Sequence, residues 1–178
     1  GIDLAVAMSA GGAFGGSGQK CTASSRLIVH ANVHDEFVEK LLKATQAMKV
    51  GHGQHAGTQI GPVVSQQQLD ENLKYVELGK SEGAELACGG QRLDMPTTGV
   101  YTSSGVFINT NNHIRINPED ILAPLAAVIN VVSYDDALTT LNDNNYALTA
   151  GIKTNSLARA THFRRNAKAG CVMVNLAT

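Results

Sequence analysis

Cys21 is the residue of this sequence best placed to do chemistry. It follows a glycine-rich run at positions 15–18 and comes shortly before a segment rich in β-branched residues. Glycines let the backbone adopt positive φ and approach a ligand closely, and loops held by a rigid sheet often carry catalytic groups. The neighbouring Lys20 would favour a thiolate. The spacing leaves two interpretations open: Cys21 is a nucleophile, or it is a small buried hydrophobe behind a surface loop.

The other potential ligands and nucleophiles lack a motif. Cys88 and Cys171 lie inside strand patterns, which predicts small buried hydrophobes. The six histidines are scattered, and the close pair His52 and His55 has no evident third ligand, so we predict no metal site. Three cysteines without a CxxC pair indicate a reducing compartment, and we expect the cytoplasm.

Composition excludes several classes of protein. The chain has 178 residues, of which 43% are hydrophobic and 16% charged; this length suits about one domain, and the composition excludes intrinsic disorder. Fourteen Lys and Arg against fifteen Asp and Glu give a net charge of −1, so we expect no nucleic-acid and no membrane partner. No apolar stretch approaches the ~20 residues of a membrane-spanning helix.

Helical and strand periodicities alternate along the chain. Strands are predicted over 25–30, 85–88, 105–109, 126–132, 149–152 and 171–175. Helices are predicted before the glycine run, over 35–49, from a capping box at Ser65 to about 82, and after Ser133 and Ser156. Strands separated by helices imply parallel pairing through crossover connections. The predicted fold is therefore α/β, with an open, mostly parallel twisted sheet flanked by helices.

The residues around Cys21 also carry a resemblance to a known family. The segment Gly18-Gln19-Lys20-Cys21, with Arg26 five residues further on, resembles the active-site cysteine segment of the aldehyde dehydrogenase superfamily, G-Q-x-C-x-x-x-x-R. Further landmarks of that family follow in the same order: Gly61-Pro62, Gly89-Gly90, Glu119–Pro124, Asn142–Gly151 and Val174–Thr178. The cysteine segment and the run Ile60–Ser65 are most similar to the bacterial α-ketoglutarate-semialdehyde dehydrogenases.

The resemblance implies a reaction and a role for three residues. Cys21 would be the nucleophile that attacks a small aldehyde, giving a thiohemiacetal and then a thioester that is hydrolysed to a carboxylic acid, with hydride passing to NAD or NADP. Asp120 takes the place of the family glutamate that binds the nicotinamide ribose. Leu122 takes the place of a phenylalanine near the nicotinamide ring. Aspartate is one methylene shorter and leucine is less flat, so both positions depart from the family pattern.

The resemblance also implies a domain organisation. Residues 1–178 correspond to a fragment of the catalytic domain, and the chain opens without Met inside an apolar run. The family's cofactor-binding domain, general-base glutamate and oxyanion asparagine belong upstream of Cys21, at distances that this chain does not contain. We therefore expect the isolated chain to be inactive and the enzyme to be a homo-oligomer.

Two alternatives place the chain in a different functional class. The chain could be a non-catalytic association or structural domain derived from such an enzyme. It could instead be a cysteine hydrolase or acyltransferase, which requires a histidine partner for Cys21. No histidine of the sequence has a motif context for that role, so this alternative ranks last.

Overall fold

The computed structural model describes residues 1–178 and contains both helices and strands. The helices are α1 (Ile2–Phe14), α2 (Ala31–Gln46), α3 (Gln66–Ser81), α4 (Tyr134–Asn142) and α5 (Leu157–Asn166). The strands are β1 (Arg26–His30), β2 (Glu85–Cys88), β3 (Arg92–Leu93), β4 (Tyr101–Thr102), β5 (Gly105–Thr110), β6 (Leu125–Val131), β7 (Thr149–Ile152) and β8 (Cys171–Val174). None of the helices is long and apolar enough to cross a membrane.

The main sheet has four strands in the order β1-β6-β5-β2. β6 pairs in parallel with both β1 and β5, whereas β2 pairs with β5 in the antiparallel sense. The predicted open, mostly parallel α/β sheet is confirmed, and β2 is the exception. The connection from β2 to β5 contains the short strands β3 and β4 and no helix.

Two small sheets accompany the main one. β7 and β8 form a separate parallel pair, and β3 and β4 form a short antiparallel pair. The strands β7 and β8 were predicted, but their separation from the main sheet was not. β3 and β4 have two residues each, which is too short for a periodicity to reveal.

Serine caps begin the three helices for which the sequence predicts them. The Oγ atoms of Ser65, Ser133 and Ser156 accept hydrogen bonds from backbone N–H groups three residues ahead, at 3.0–3.2 Å. These bonds satisfy N–H groups that a helix leaves unpaired in its first turn. α2 begins at Ala31, earlier than predicted, because the His30 ring accepts the N–H of Asn32 and acts as the cap.

Apolar side chains cover both faces of the main sheet. The larger core joins α1 and α2 to one face and includes the fully buried Phe14, Leu41, Val106 and Val128. The smaller core lies on the other face and joins Val76 of α3 to Phe107, Ala127 and their neighbours. β6 is buried at six of its seven positions, as expected of a central strand in a parallel sheet. The sheet is therefore a rigid base for the loop that carries Cys21.

Candidate functional site

A left-handed turn precedes Cys21. Gly16, Ser17 and Gly18 have φ of 63°, 60° and 67°. Ser17 adopts this unfavourable conformation while its buried Oγ donates a 2.8 Å hydrogen bond to the Gly61 carbonyl. At Gly18 only glycine fits, since an added Cβ would lie 2.1 Å from the carbonyl oxygen of Ala123. The turn therefore rests directly on the segment that contains Ala123.

Cys21 itself lies in a β-turn on the surface. The N–H of Ala23 donates to the carbonyl of Lys20 at 3.0 Å, which closes the turn around Cys21. The thiol is free and exposed, and the backbone N–H of Cys21 makes no hydrogen bond within the chain. The interpretation of Cys21 as a small buried hydrophobe is therefore wrong.

Segments from distant parts of the sequence hold this turn on both sides. On its N-terminal side, the Gln19 side chain accepts the N–H of Val64 at 2.8 Å. On its C-terminal side, the N–H of Ser24 donates to the Gly12 carbonyl at 3.1 Å, and the Ser24 hydroxyl lies 2.5 Å from that of Thr178. Landmarks that are more than 100 residues apart in sequence thus meet around Cys21.

Arg26 ties the turn to the end of α4. Its guanidinium donates to the carbonyls of Thr140 and Leu141 at 2.8 Å and 3.0 Å, and to the Asn112 side chain at 3.0 Å. Burial lowers the pKa of Arg26, and the Asp143 carboxylate acts in the opposite direction. A cation that binds the last carbonyls of a helix also stabilises the negative end of its dipole. The motif arginine is therefore a structural tie between β1 and α4.

Asp120 and Leu122 lie on the segment beneath the turn. Both are exposed, Leu122 by 39% and with φ of 55°. The contact between Gly18 and Ala123 places this segment against the Cys21 turn. Gln68 of α3 donates to the carbonyl of Ile121 at 3.2 Å and so fixes the backbone between the two residues. The turn that precedes Cys21 therefore adjoins the segment that carries Asp120 and Leu122.

The preceding carboxylate, Glu119, has different partners. Arg115 donates to it at 2.6 Å and the Tyr75 hydroxyl donates at 2.7 Å. Arg115 first, and then Tyr75, lower the pKa of Glu119, while the same contact raises the pKa of Tyr75 to about 12. The Glu119 carboxylate is thus paired within the fold, whereas Asp120 makes no ion pair. The sequence does not reveal this cluster, because Tyr75 lies 44 residues from Glu119.

The other two cysteines differ from each other. Cys88 is half-buried, and burial raises the pKa of its thiol although a hydrogen bond with the Val106 backbone opposes the rise. Cys171 is exposed, so its interpretation as a buried hydrophobe is wrong. Cys171 begins β8, which pairs with β7 alone, and such an end position leaves the side chain open to solvent.

Cys21 lies outside the groove between β1 and β7 and belongs to no group of metal-binding side chains. His52 and His55 lie with ring centroids 5.3 Å apart, and no group of three or more His, Cys, Asp or Glu side chains is placed to hold a metal ion. A groove of about 690 Å³ lies between β1 and β7 and includes neither Cys21 nor Asp120. The candidate site is therefore a surface turn and its adjoining segment.

The structure is an open α/β sheet with a free, exposed thiol on the turn that follows the glycine run. The family model described as "Aldehyde dehydrogenase family" matches residues 1–178, so the chain belongs to the aldehyde dehydrogenase family. The resemblance of the five landmarks is confirmed by this match.

Named relatives agree with the family assignment. The chain is 39% identical to an alpha-ketoglutaric semialdehyde dehydrogenase of Bacillus subtilis over 92% of its length, and 38% identical to an alpha-ketoglutarate semialdehyde dehydrogenase of Haloferax volcanii over 93%. In each case it spans 34% of the relative. The chain therefore covers about a third of the curated relatives that it matches.

Solved structures show the same fold. A betaine aldehyde dehydrogenase from Staphylococcus aureus in complex with NAD+ matches 99% of this chain with a TM-score of 0.97 and 28% identity, over 36% of that protein. A 1-pyrroline-5-carboxylate dehydrogenase from Thermus with bound NAD matches 99% with a TM-score of 0.93 and 33% identity, over 33% of that protein.

Proposed function

We propose that this chain is the nucleophile-bearing part of the catalytic domain of an NAD- or NADP-dependent aldehyde dehydrogenase, with Cys21 as its catalytic residue. The observation that carries the proposal is the contact of Gly18 with Ala123, which sets the Cys21 turn against the Asp120–Leu122 segment. Family membership supports the reaction class, and the NAD complexes of two relatives support the cofactor.

Cys21 would perform the covalent chemistry. Its thiolate attacks the aldehyde carbon, and a new C–S bond forms as the carbonyl π electrons move to oxygen. The unpaired backbone N–H of Cys21 is available to that oxygen, in the manner of an oxyanion donor. A bound nicotinamide cofactor would supply the acceptor for the hydride that leaves the substrate carbon. Water then hydrolyses the Cys21 thioester, which releases a carboxylic acid and regenerates the thiol.

Asp120 and Leu122 would hold the nicotinamide end of the cofactor. Asp120 fits a ribose hydroxyl because its carboxylate is exposed and makes no ion pair, and carboxylates commonly accept hydrogen bonds from ribose. Leu122 offers an exposed apolar side chain beside the turn. We propose that the remaining cofactor contacts come from outside these 178 residues, and that the chain alone does not turn over.

The names of the relatives suggest a substrate to test, and the side chains of this chain suggest a location and an assembly. The two semialdehyde dehydrogenases make α-ketoglutarate semialdehyde the first aldehyde to examine. Three free cysteines favour the reducing cytoplasm. Exposed apolar side chains, Leu157 and Leu176 among them, favour association into a homo-oligomer. The same exposure also favours the second candidate, a non-catalytic association domain.

Protection of Cys21 by aldehyde separates these candidates. The chain is incubated with α-ketoglutarate semialdehyde, or with propanal for comparison, and then treated with iodoacetamide and mapped by mass spectrometry. A nucleophile that forms a thiohemiacetal should be protected in proportion to the aldehyde concentration, whereas exposed Cys171 serves as the internal control. Equal labelling of Cys21 with and without aldehyde would contradict the proposed function and favour the association domain.

A further inference from the structure

The position of the Cys21 turn depends on tertiary contacts. Residues 19–25 contain no helix or strand, and the three residues before them are left-handed. The thiol and the N–H of Cys21 make no hydrogen bond of their own. Whatever fixes the direction of both groups must therefore act through neighbouring residues.

Gln19 is the neighbouring residue best placed to fix the direction of the Cys21 thiol and N–H. Among the side chains within two residues of Cys21, its amide is the one that hydrogen-bonds a segment distant in sequence. Its Oε1 accepts the N–H of Val64 at 2.8 Å. Its Nε2 points to the carbonyls of Pro62 and Gly16 at 3.5 Å and 3.4 Å, which are long contacts. The strong bond is thus the one between Gln19 and Val64.

The backbone of Val64, which donates that hydrogen bond, is held in place by its two neighbours. Val63 donates its N–H to Val100 at 2.9 Å, and its side chain is buried in the fold. Ser65 caps α3. The backbone of Val64 is therefore held on both sides, although its side chain is 81% exposed. A hydrogen bond from a fixed backbone to Gln19 restrains the turn two residues before Cys21.

We propose that Gln19 is a positioning residue, whose hydrogen bond with the Val64 backbone aims the Cys21 N–H and thiol at the substrate carbonyl. This inference rests on the proposed function, in which the same N–H receives the developing oxyanion. It predicts that aldehyde addition to Cys21 depends on Gln19 more strongly than simple alkylation does, because alkylation needs only an accessible thiol.

Two variants remove the bond from opposite ends. Gln19→Met keeps the length of the side chain without its amide. Val64→Pro removes the donor N–H at an exposed position, and the extended Val63 before it suits a proline. Gln66→Met, on the exposed side of α3 with Asp70 as its partner, is the matched control. Slow labelling of half-buried Cys88 shows in each case that the chain is folded.

The first measurement is the aldehyde concentration that halves Cys21 labelling. We expect it to rise about three- to tenfold in Gln19→Met and in Val64→Pro, the range that one hydrogen bond is worth. The double variant should show no further rise, since both changes remove one interaction. Iodoacetamide labelling without aldehyde should change by less than about twofold. Wild-type protection in Gln19→Met, or equal changes in protection and labelling, would overturn the inference.

A spectroscopic readout is independent of aldehyde chemistry. A nitroxide attached to Cys21, with Cys88→Ala and Cys171→Ser in the background, should give narrower lines in Gln19→Met than in the parent chain or in Gln66→Met. Unchanged lines would overturn the positioning role. If the parent chain shows no aldehyde protection at all, the proposed function fails, and the spin label then decides on Gln19 separately.

Discussion

Replacing Gly18 by alanine puts a methyl group where the Ala123 carbonyl now lies. The backbone at Gly18 has φ of +67°, and the new Cβ would lie 2.1 Å from the Ala123 oxygen and 2.7 Å from the Pro124 nitrogen. The left-handed conformation costs an alanine about 1–2 kcal/mol. Displacing the Ala123 backbone adds about 1–3 kcal/mol, the usual cost of overpacking. We expect Gly18→Ala to lower the free energy of unfolding by about 2–5 kcal/mol.

Alanine variants of two neighbouring glycines separate the cost of the left-handed conformation from the cost of overpacking. Gly16 has φ of +63° but only the Lys20 side chain near its Cβ position, at 3.8 Å, so Gly16→Ala should cost only the conformational part, about 1–2 kcal/mol. Gly15 has φ of −54° and nothing within 4 Å, so Gly15→Ala should change stability by less than about 0.5 kcal/mol.

Urea denaturation of the three variants gives the comparison. The slope of the unfolding free energy against urea should stay constant, since the same surface is exposed in each case. If Gly18→Ala lowered the free energy of unfolding by no more than Gly16→Ala does, the reasoning would be refuted. It would mean that the Cys21 turn does not rest on the Ala123 segment, and the contact that carries the proposed function would be lost.

Arg26→Met removes the guanidinium that binds the end of α4, and we expect it to lower the free energy of unfolding by about 2–4 kcal/mol in urea; a loss under about 0.5 kcal/mol would contradict that role. Arg115 and Tyr75 hold the pKa of Glu119 below its ordinary value of 4.5, so the ionised carboxylate stabilises the fold above that pH, and its contribution is lost as pH falls through the lowered pKa of the folded state. Glu119→Gln should therefore flatten the acid side of the stability curve measured by denaturation at several pH values, and an unchanged acid side would contradict the cluster. Exposed apolar side chains such as Leu157 predict self-association, so light scattering should give a mass above 18.7 kDa that rises with concentration; a constant monomer mass would exclude it.

Local patterns in the sequence predict much of the fold. The caps at Ser65, Ser133 and Ser156 appear where hydroxyls precede amphipathic runs, because capping is a contact between residues only three apart. The apolar run of β6 predicts a central strand for a similar reason, since burial on both faces leaves no polar alternation.

Contacts between distant segments could not be predicted in this way. The antiparallel pairing of β2 with β5 joins residues about 20 positions apart, and the partners of Arg26 lie more than 80 residues away. The motif around Cys21 predicts the nucleophile, but its exposure depends on how the turn sits on Ala123. The sequence likewise gives no sign that Cys171 is exposed, because a strand pattern does not distinguish an outer end from a buried centre.

Acyl transfer to Cys21 is the most direct test of the central claim that this turn presents a nucleophile. The chain is treated with p-nitrophenyl acetate, quenched at successive times and mapped by mass spectrometry, with Cys21→Ser as the control. Both Cys21 and Cys171 are exposed, so exposure alone predicts similar acetylation of the two. We predict that the acetyl group forms a thioester on Cys21 first, with Cys88 slowest. Acetylation of Cys171 at the same rate as Cys21, or faster, would contradict it.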